Sequence, residues 1–166
     1  MAVGYAVVFV VVGFATRARA KRVVGALGGG LAAAAFFLGT GIVGMRLGLW
    51  RGWVPSTTNL AALLALATAI SLAPTFPITW RMARRFGWRG LVGCVVVAAA
   101  IGPPREYLIA TVYPTLITFS PGIAPILGVA LTYAGMVTIG HSAMRVLAGP
   151  ARADFLARHA LQAPSN

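Results

Sequence analysis

The sequence predicts an all-α, polytopic membrane protein, built as a bundle of transmembrane helices. Of its 166 residues, 59% are hydrophobic and only 10% are charged, and the mean hydropathy is +0.86. An average soluble domain has roughly 45–50% apolar and about 25% charged residues. This composition therefore excludes a soluble enzyme, a secreted domain and a disordered chain. The charged residues also stand in short groups between long apolar stretches, which is typical of membrane spans.

The apolar stretches predict five spans. About 20 apolar residues in a helix cross the hydrocarbon core, which is about 30 Å thick. The predicted spans are approximately 2–16, 23–45, 59–80, 86–104 and 122–146. Positive residues follow the first span, whereas they precede the apolar run of a signal peptide, so we expect an uncleaved helix. The shortness of this span leaves open a locally thin bilayer or a start codon further upstream.

The segment 105–121 is predicted to form an outer cap or a shallow re-entrant segment. Five prolines interrupt the run from 103 to 125, and proline removes a helix donor and clashes with the preceding turn. Non-helical backbone near a bilayer is tolerated only where protein buries it or water solvates it. We accordingly expect one bundle domain, 1–148, followed by an amphipathic or disordered cytoplasmic tail, 149–166.

The distribution of basic residues predicts the orientation. The first connection, the third connection and the C-terminal tail carry eleven Lys and Arg residues, whereas the other side carries Arg46, Arg51 and Arg105. Since cytoplasmic loops are enriched in Lys and Arg, the N-terminus is predicted outside and the C-terminus in the cytoplasm. Thirteen of the 14 basic residues are Arg, which suggests a G+C-rich genome and hence a bacterial cell membrane.

The basic excess does not indicate a nucleic-acid partner, because the arginines form no face interleaved with stacking aromatics. No phosphate-binding loop, HExxH or GxSxG motif is present, and Cys94 is the only cysteine. No cofactor and no metal site are expected. These absences favour a non-catalytic subunit of a membrane complex, or a bundle that binds a lipid or small molecule. The expected partners are membrane lipids, other membrane subunits or a second copy of the chain.

Small residues predict where helices pack. Gly25, Gly29 and Ala33 recur every four residues on the second span and allow close approach of a neighbouring backbone. We expect this stripe to pack inside the bundle, with a homo-oligomer interface as the alternative. Tryptophans 50 and 53 fall at one membrane boundary and tryptophans 80 and 88 at the other, where amphipathic rings concentrate.

Glu106 is the candidate catalytic group, because it is the only carboxylate outside the tail. It is expected at the outer membrane surface, where Tyr107 and Tyr113 would flank it as further catalytic candidates. Arg105 is its expected partner and a candidate ligand-binding residue, since a charge near the bilayer needs pairing. The alternative function is therefore a membrane-embedded enzyme that acts on a lipid or isoprenoid by acid–base chemistry at Glu106. A structural alternative is that Glu106 caps a short helix beginning at Tyr107.

The last span contains a second candidate ligand-binding group, His141 and Arg145. With Thr138 and Ser142 they lie on one helical face, and polar groups in a span usually point into the bundle or into a cavity. A hydrogen bond to a neighbouring helix is the structural alternative for His141. A single histidine with no further ligand in register does not make a metal site.

The proline-rich segments resemble parts of small multi-pass prokaryotic membrane proteins. The similarity lies in Pro103-Pro104-Arg105-Glu106-Tyr107 and in the run from Pro121 to Pro125. It implies neither an activity nor a role for any residue.

Overall fold

The computed structural model describes residues 20–52 and 58–149, together with positions 7 and 10–12. Its helices are α1 (Ala20–Arg46), α2 (Thr58–Leu72), α3 (Thr75–Phe86), α4 (Trp88–Val112) and α5 (Ile123–Ala148). Two short strands, β1 (Trp50–Arg51) and β2 (Thr118–Phe119), pair antiparallel, with Trp50 opposite Phe119.

Four helical segments of the described chain are long and apolar enough to cross a bilayer. They are Lys21–Arg46, Ala62–Phe86, Trp88–Val112 and Ile123–Ala148, the second of which combines α2 and α3. The predicted polytopic helix bundle is thus confirmed, and four of the predicted spans overlap these segments. The predicted span 2–16 lies outside the described residues except at positions 7 and 10–12, which are helical. The predicted tail also lies outside them, apart from Gly149.

The outer surface of the bundle is apolar. Large hydrophobic side chains are exposed along each crossing segment, for example Leu31, Leu66, Val97 and Leu131. A contiguous apolar exterior is unfavourable in water, whereas it matches the hydrocarbon of a bilayer. The exposed apolar surface of the bundle therefore agrees with the high share of hydrophobic residues in the sequence.

The structure differs from the sequence prediction at residues 105–112, which continue α4 instead of starting a cap. Pro103 and Pro104 lie inside α4, and Pro103 is buried. Each proline lacks the N–H that would donate within the helix, so both missing hydrogen bonds fall in one turn of α4, and the helix continues through Arg105 and Glu106 to Val112. Neighbouring helices make such a break tolerable in a membrane span, and α4 packs here against α5. What remains of the predicted cap is 113–122, a turn followed by β2.

The pairing of β1 with β2 defines one end of the bundle. β1 follows α1 and β2 precedes α5, so the α1–α2 and α4–α5 connections lie together at this sheet end. The opposite end, here termed the arginine end, joins the start of α1, the α3–α4 turn and the end of α5. The crossing segments therefore alternate in direction. Residues 113–122 begin and end at the sheet end and do not cross the bundle.

The helices α1 and α5 pack closely against each other. A Cβ atom added at Gly29 would lie 2.6 Å from the carbonyl oxygen of Gly140, and one added at Gly25 would lie 2.8 Å from the Cβ of Ala148. Ala33, which continues the stripe, is fully buried. The predicted packing of this stripe inside the bundle is thus confirmed.

The break between α2 and α3 shapes the rest of the bundle. The helix turns at Ala73 and Pro74, and α3 then packs against α1, α4 and α5. In the described structure α2 packs on α1 and makes no comparable interface with α4 or α5. A gap consequently remains between α2 and α4 toward the sheet end.

Candidate functional site

A cavity of about 420 Å³ occupies the gap between α2 and the α4–α5 pair. Residues next to the two strands, among them Gly52 and Ile117, also line it. Most of the wall is apolar, and the polar side chains that line it are Thr68, Ser71, Arg105, Glu106 and Tyr133. The cavity thus brings polar groups from three helices to a site within an apolar bundle.

Glu106, Arg105 and Tyr133 form a single hydrogen-bonded cluster on the cavity wall. Arg105 Nη1 lies 2.5 Å from both Glu106 Oε1 and the Tyr133 hydroxyl oxygen, to which it donates. The Tyr133 hydroxyl donates to the same carboxylate oxygen. Glu106 is only 5% exposed, whereas the Arg105 side chain is 51% exposed. The cluster therefore pairs a buried negative charge with a positive charge that extends to the surface.

This pairing explains how a carboxylate is tolerated at this depth. Glu106 lies six residues before the end of α4, about 9 Å along the helix axis from Val112. An unpaired charge in the hydrocarbon region is costly, and charge-assisted hydrogen bonds offset part of that cost. Because α4 is continuous here, no helix begins at Tyr107, and the structural alternative in which Glu106 caps such a helix is wrong.

Gly102 allows Tyr133 to reach Glu106. It lies one helical turn before Glu106 and is buried, and a Cβ atom at this position would lie 2.5 Å from Cγ of Tyr133. The absence of a side chain lets the phenol ring of α5 lie directly on the α4 backbone. The missing side chain at Gly102 thus allows both the close approach of α4 and α5 and the contact of the Tyr133 hydroxyl with the Glu106 carboxylate.

Two hydroxyl residues of α2 face the cluster across the cavity. Ser71 donates to the carbonyl oxygen of Thr68 at 2.9 Å, which uses its hydrogen within the helix. Its oxygen retains acceptor capacity, as hydroxyl oxygens have two lone pairs. The α2 wall therefore offers hydroxyl oxygens opposite a guanidinium and a carboxylate.

The structure brings together only part of the predicted site. Arg105 and Glu106 lie in the cluster as expected partners. The ring of Tyr107 instead stacks on Phe119, with centroids 4.4 Å apart, and Tyr113 is exposed beyond the end of α4. Tyr133 was not among the candidates, although a tyrosine in the middle of a span, away from the interfacial belt, is itself a signal of a polar partner.

His141 lies in a separate place, nearer the arginine end. It is 1% exposed, and its Nδ1 lies 3.0 Å from Oγ1 of Thr79, whose hydroxyl also donates to the carbonyl oxygen of Phe76 at 3.0 Å. A hydroxyl has one hydrogen, so donation to Phe76 requires His141 to donate from Nδ1. Eight residues separate His141 from Tyr133, about 12 Å along α5. The geometry thus links His141 to α3 rather than to the cavity.

Arg145 is exposed one turn beyond His141, at the end of α5. The structure therefore separates the second predicted ligand-binding pair from Arg105. Among the described residues, no three His, Cys, Asp or Glu side chains are placed to hold a metal ion.

Comparisons with protein-family models, with curated proteins and with solved structures find no match to this chain. Function is accordingly inferred from the cavity and from the chemistry of its lining. The cluster can donate hydrogen bonds through Arg105, accept them through Glu106, and exchange a hydroxyl hydrogen between Tyr133 and a bound group. Apolar surface from Phe37, Leu64 and Met136 completes the wall.

Proposed function

We propose that the protein is an integral membrane bundle that binds an amphipathic small molecule or lipid in the cavity between α2 and α4. The polar head of the ligand contacts Arg105, Glu106 and Tyr133, and its apolar part lies against the remaining wall. The observation that supports this function is a buried carboxylate, hydrogen-bonded to a half-exposed arginine, that lines a cavity within an otherwise apolar bundle. Intramembrane ionisable residues usually mark ligand or ion sites.

The position of α2 supports an amphipathic ligand rather than a water-soluble one. In the described part of the chain α2 packs on α1 and has no comparable interface with α4, so the cavity lies between two membrane-crossing segments. Its volume of about 420 Å³ falls within the range of about 300–1,000 Å³ typical of small-molecule pockets. The cavity therefore suits a headgroup and the first carbons of a chain.

The test is recovery of ligand from the protein purified in mild detergent, by native mass spectrometry and by extraction of bound lipids. The Glu106→Gln and Tyr133→Phe variants are expected to lose most of the bound molecule with the fold intact. Tyr107→Phe is the matched control, because it removes an equivalent hydroxyl next to Glu106 but outside the cavity lining. Equal recovery from all four proteins would contradict the proposal.

A second candidate is a membrane-embedded enzyme that acts on a lipid or isoprenoid by acid–base chemistry at Glu106. It is favoured by one contact, in which the Tyr133 hydroxyl donates to the buried carboxylate, so that a carboxyl group and a phenol lie together at the cavity wall. The two functions differ in the fate of the bound molecule. If wild type yields a chemically altered molecule and the Glu106→Gln variant holds the same molecule unaltered, the enzyme is favoured. If the molecule recovered from wild type is unaltered, the binding function is favoured.

The proposed location is a bacterial cell membrane, with the sheet end outside and the arginine end in the cytoplasm. This orientation rests on seven described basic residues at the arginine end against Arg46, Arg51 and Arg105 toward the other end. In this topology 2–16 forms a fifth span with the N-terminus outside, and 113–122 lies as a cap or re-entrant segment on the outer face. The proposed partners are membrane lipids and a further membrane subunit or a second copy of the chain.

Cysteine labelling tests the orientation in a Cys94→Ala background. A cysteine at Ser120 should react with an impermeant reagent added outside intact cells, and a cysteine at Arg85 should react only after the cells are opened. The reverse pattern would overturn the orientation without affecting the cavity proposal.

A further inference from the structure

We propose that the cavity between α2 and α4 selects an uncharged head that both donates and accepts a hydrogen bond, as the hydroxyl group of a long-chain alcohol does. This inference rests on the binding function proposed above and names the class of molecule that the cavity takes. Three features of the wall support it: the second carboxylate oxygen of Glu106, the charge balance of the lining, and the hydroxyl group of Thr68.

The carboxylate of Glu106 has one oxygen without a hydrogen-bond donor. Arg105 Nη1 and the Tyr133 hydroxyl both donate to Oε1. In the part of the chain that the structure describes, no hydrogen bond or ion pair reaches Oε2, although Glu106 is only 5% exposed. A buried polar atom without a partner is costly. Because Glu106 lines the cavity, a molecule bound there can supply the missing donor.

The charged groups of the cavity lining balance each other. Arg105 and Glu106 are the only charged side chains among the described lining residues, and they form an ion pair. An anionic head would compete with Glu106 for Arg105 and would place a second negative charge beside a buried carboxylate. An ammonium head would donate to Oε2 but would leave one positive charge uncompensated within an apolar wall. An uncharged donor avoids both costs.

The hydroxyl group of Thr68 can donate to the bound head. Thr68 is half-buried and lines the cavity, and within residues 20–52 and 58–149 its hydroxyl forms no hydrogen bond. By contrast, the hydroxyls of Thr132 and Thr138 donate to carbonyl oxygens of their own helix. An alcohol has one hydrogen to donate to Glu106 and lone pairs that accept from Thr68. A single hydroxyl group therefore satisfies both walls of the cavity.

The experiment compares probes that share one hydrocarbon chain: oleyl alcohol, oleyl methyl ether, oleyl phosphate and oleylamine. Equal amounts are mixed with the full chain in mild detergent, and the bound molecules are counted by native mass spectrometry. We expect wild type to retain the alcohol about tenfold over the ether, which accepts a hydrogen bond but cannot donate one. The charged phosphate and amine should also be retained less than the alcohol. Retention of any of these three at the level of the alcohol would overturn the inference.

The Glu106→Gln variant assigns the donated hydrogen bond. Arg105 and Tyr133 both donate to Oε1, so the glutamine oxygen is expected to take that position and the amide nitrogen to replace Oε2. A nitrogen that carries two hydrogens cannot accept from the alcohol. The preference for the alcohol over the ether should therefore disappear. An unchanged preference would show that Oε2 does not recognise the head.

The Thr68→Val variant assigns the accepted hydrogen bond. Valine keeps nearly the same shape without the hydroxyl, so retention of the alcohol and of the ether should fall together, because both accept through oxygen. Thr111→Val is the matched control, since the exposed Thr111 hydroxyl donates to Leu108 of its own helix and lies outside the cavity lining. Equal retention by the Thr68→Val and Thr111→Val variants would contradict the contact with Thr68.

The outcomes distinguish this inference from the function on which it rests. If wild type retains none of the four probes, the cavity does not bind amphipathic molecules, and both proposals are overturned. If wild type retains probes without preferring the alcohol, the binding function stands and only the class of head is wrong. The comparison among probes needs no variant, so it decides the question even if Glu106→Gln does not fold.

Discussion

Tyr133 of α5 donates its hydroxyl hydrogen to the carboxylate of Glu106 on α4, and this contact joins the two helices at the wall of the cavity. This hydrogen bond crosses the α4–α5 interface, where Gly102 lets the two helices approach closely. The pair also shares one arginine, since Arg105 donates to both side chains. The same three residues therefore stabilise the α4–α5 interface and present the polar part of the proposed site.

Removing the Tyr133 hydroxyl should weaken the bundle. The Tyr133→Phe variant loses a hydrogen bond to a charged group, which is worth about 1.5–3 kcal/mol. We expect a lower midpoint of thermal unfolding in detergent, together with loss of bound ligand. Tyr107→Phe should leave the midpoint unchanged, because its ring stacking on Phe119 needs no hydroxyl. A wild-type midpoint for Tyr133→Phe would show that the contact does not stabilise the fold.

Substituting Gly102 tests the close approach of α4 and α5. In Gly102→Ala the new methyl group would lie 2.5 Å from Cγ of Tyr133, so the ring or the helix must move. Such overpacking typically costs about 1–3 kcal/mol. The control is Gly93→Ala in the same helix, where no atom outside the local helix lies within 4 Å, and where alanine should be neutral or slightly stabilising. Comparable unfolding midpoints for the two variants would contradict the predicted crowding.

The α1–α5 interface should be equally intolerant of added volume. In Gly29→Ala the methyl group would lie 2.6 Å from the carbonyl oxygen of Gly140, a backbone atom that cannot rotate away. We expect a larger loss of stability than for Gly39→Ala, since Gly39 of the same helix has open space around it. Chemical or thermal unfolding of the two purified variants in one detergent would measure the difference.

The buried pair of Thr79 and His141 predicts a structural role for this histidine. Thr79→Val removes the hydroxyl that lies 3.0 Å from Nδ1, and a buried polar group left without a partner costs about 1–3 kcal/mol. Thr138→Val is the control, because the exposed Thr138 hydroxyl bonds only to Ala134 of its own helix. If Thr79→Val is less stable but its folded fraction binds as much ligand as wild type, the Thr79–His141 pair has no part in ligand binding at the cavity. Selective loss of the bound ligand would instead connect His141 to the site.

The crossing segments could be predicted from the sequence, because the helical rise per residue and the thickness of the bilayer fix how many apolar residues one crossing needs. It could not predict where the prolines would break a helix. The adjacent pair at 103 and 104 stays within α4, whereas Pro74 marks the turn between α2 and α3. Whether a proline stays within a helix or ends it depends on whether neighbouring helices compensate for the missing hydrogen bonds. The order of residues along one chain does not show which helices are neighbours.

The candidate site could be predicted in part for a similar reason. Arg105 and Glu106 are neighbours in sequence, so their pairing was predictable. Tyr133 comes 27 residues later, and its contact with Glu106 depends on how α4 and α5 are rotated about their axes. The tryptophans show the same limit. Position along the chain indicates membrane depth, but Trp50 and Trp80 point into the protein while Trp88 is exposed.

The tight packing of α1 on α5 has a consequence for biosynthesis. These two helices are the first and the last crossing segments of the described chain, so the glycine face of α1 meets its partner only after residues 123–148 have been made. Chains are synthesised from the N-terminus, and contacts distant in sequence form late. Until then the face of α1 that carries Gly25 and Gly29 lacks its partner helix. Assembly of the described helices therefore requires α5, and a chain truncated before Ile123 would lack the surface on which α1, α3 and α4 pack.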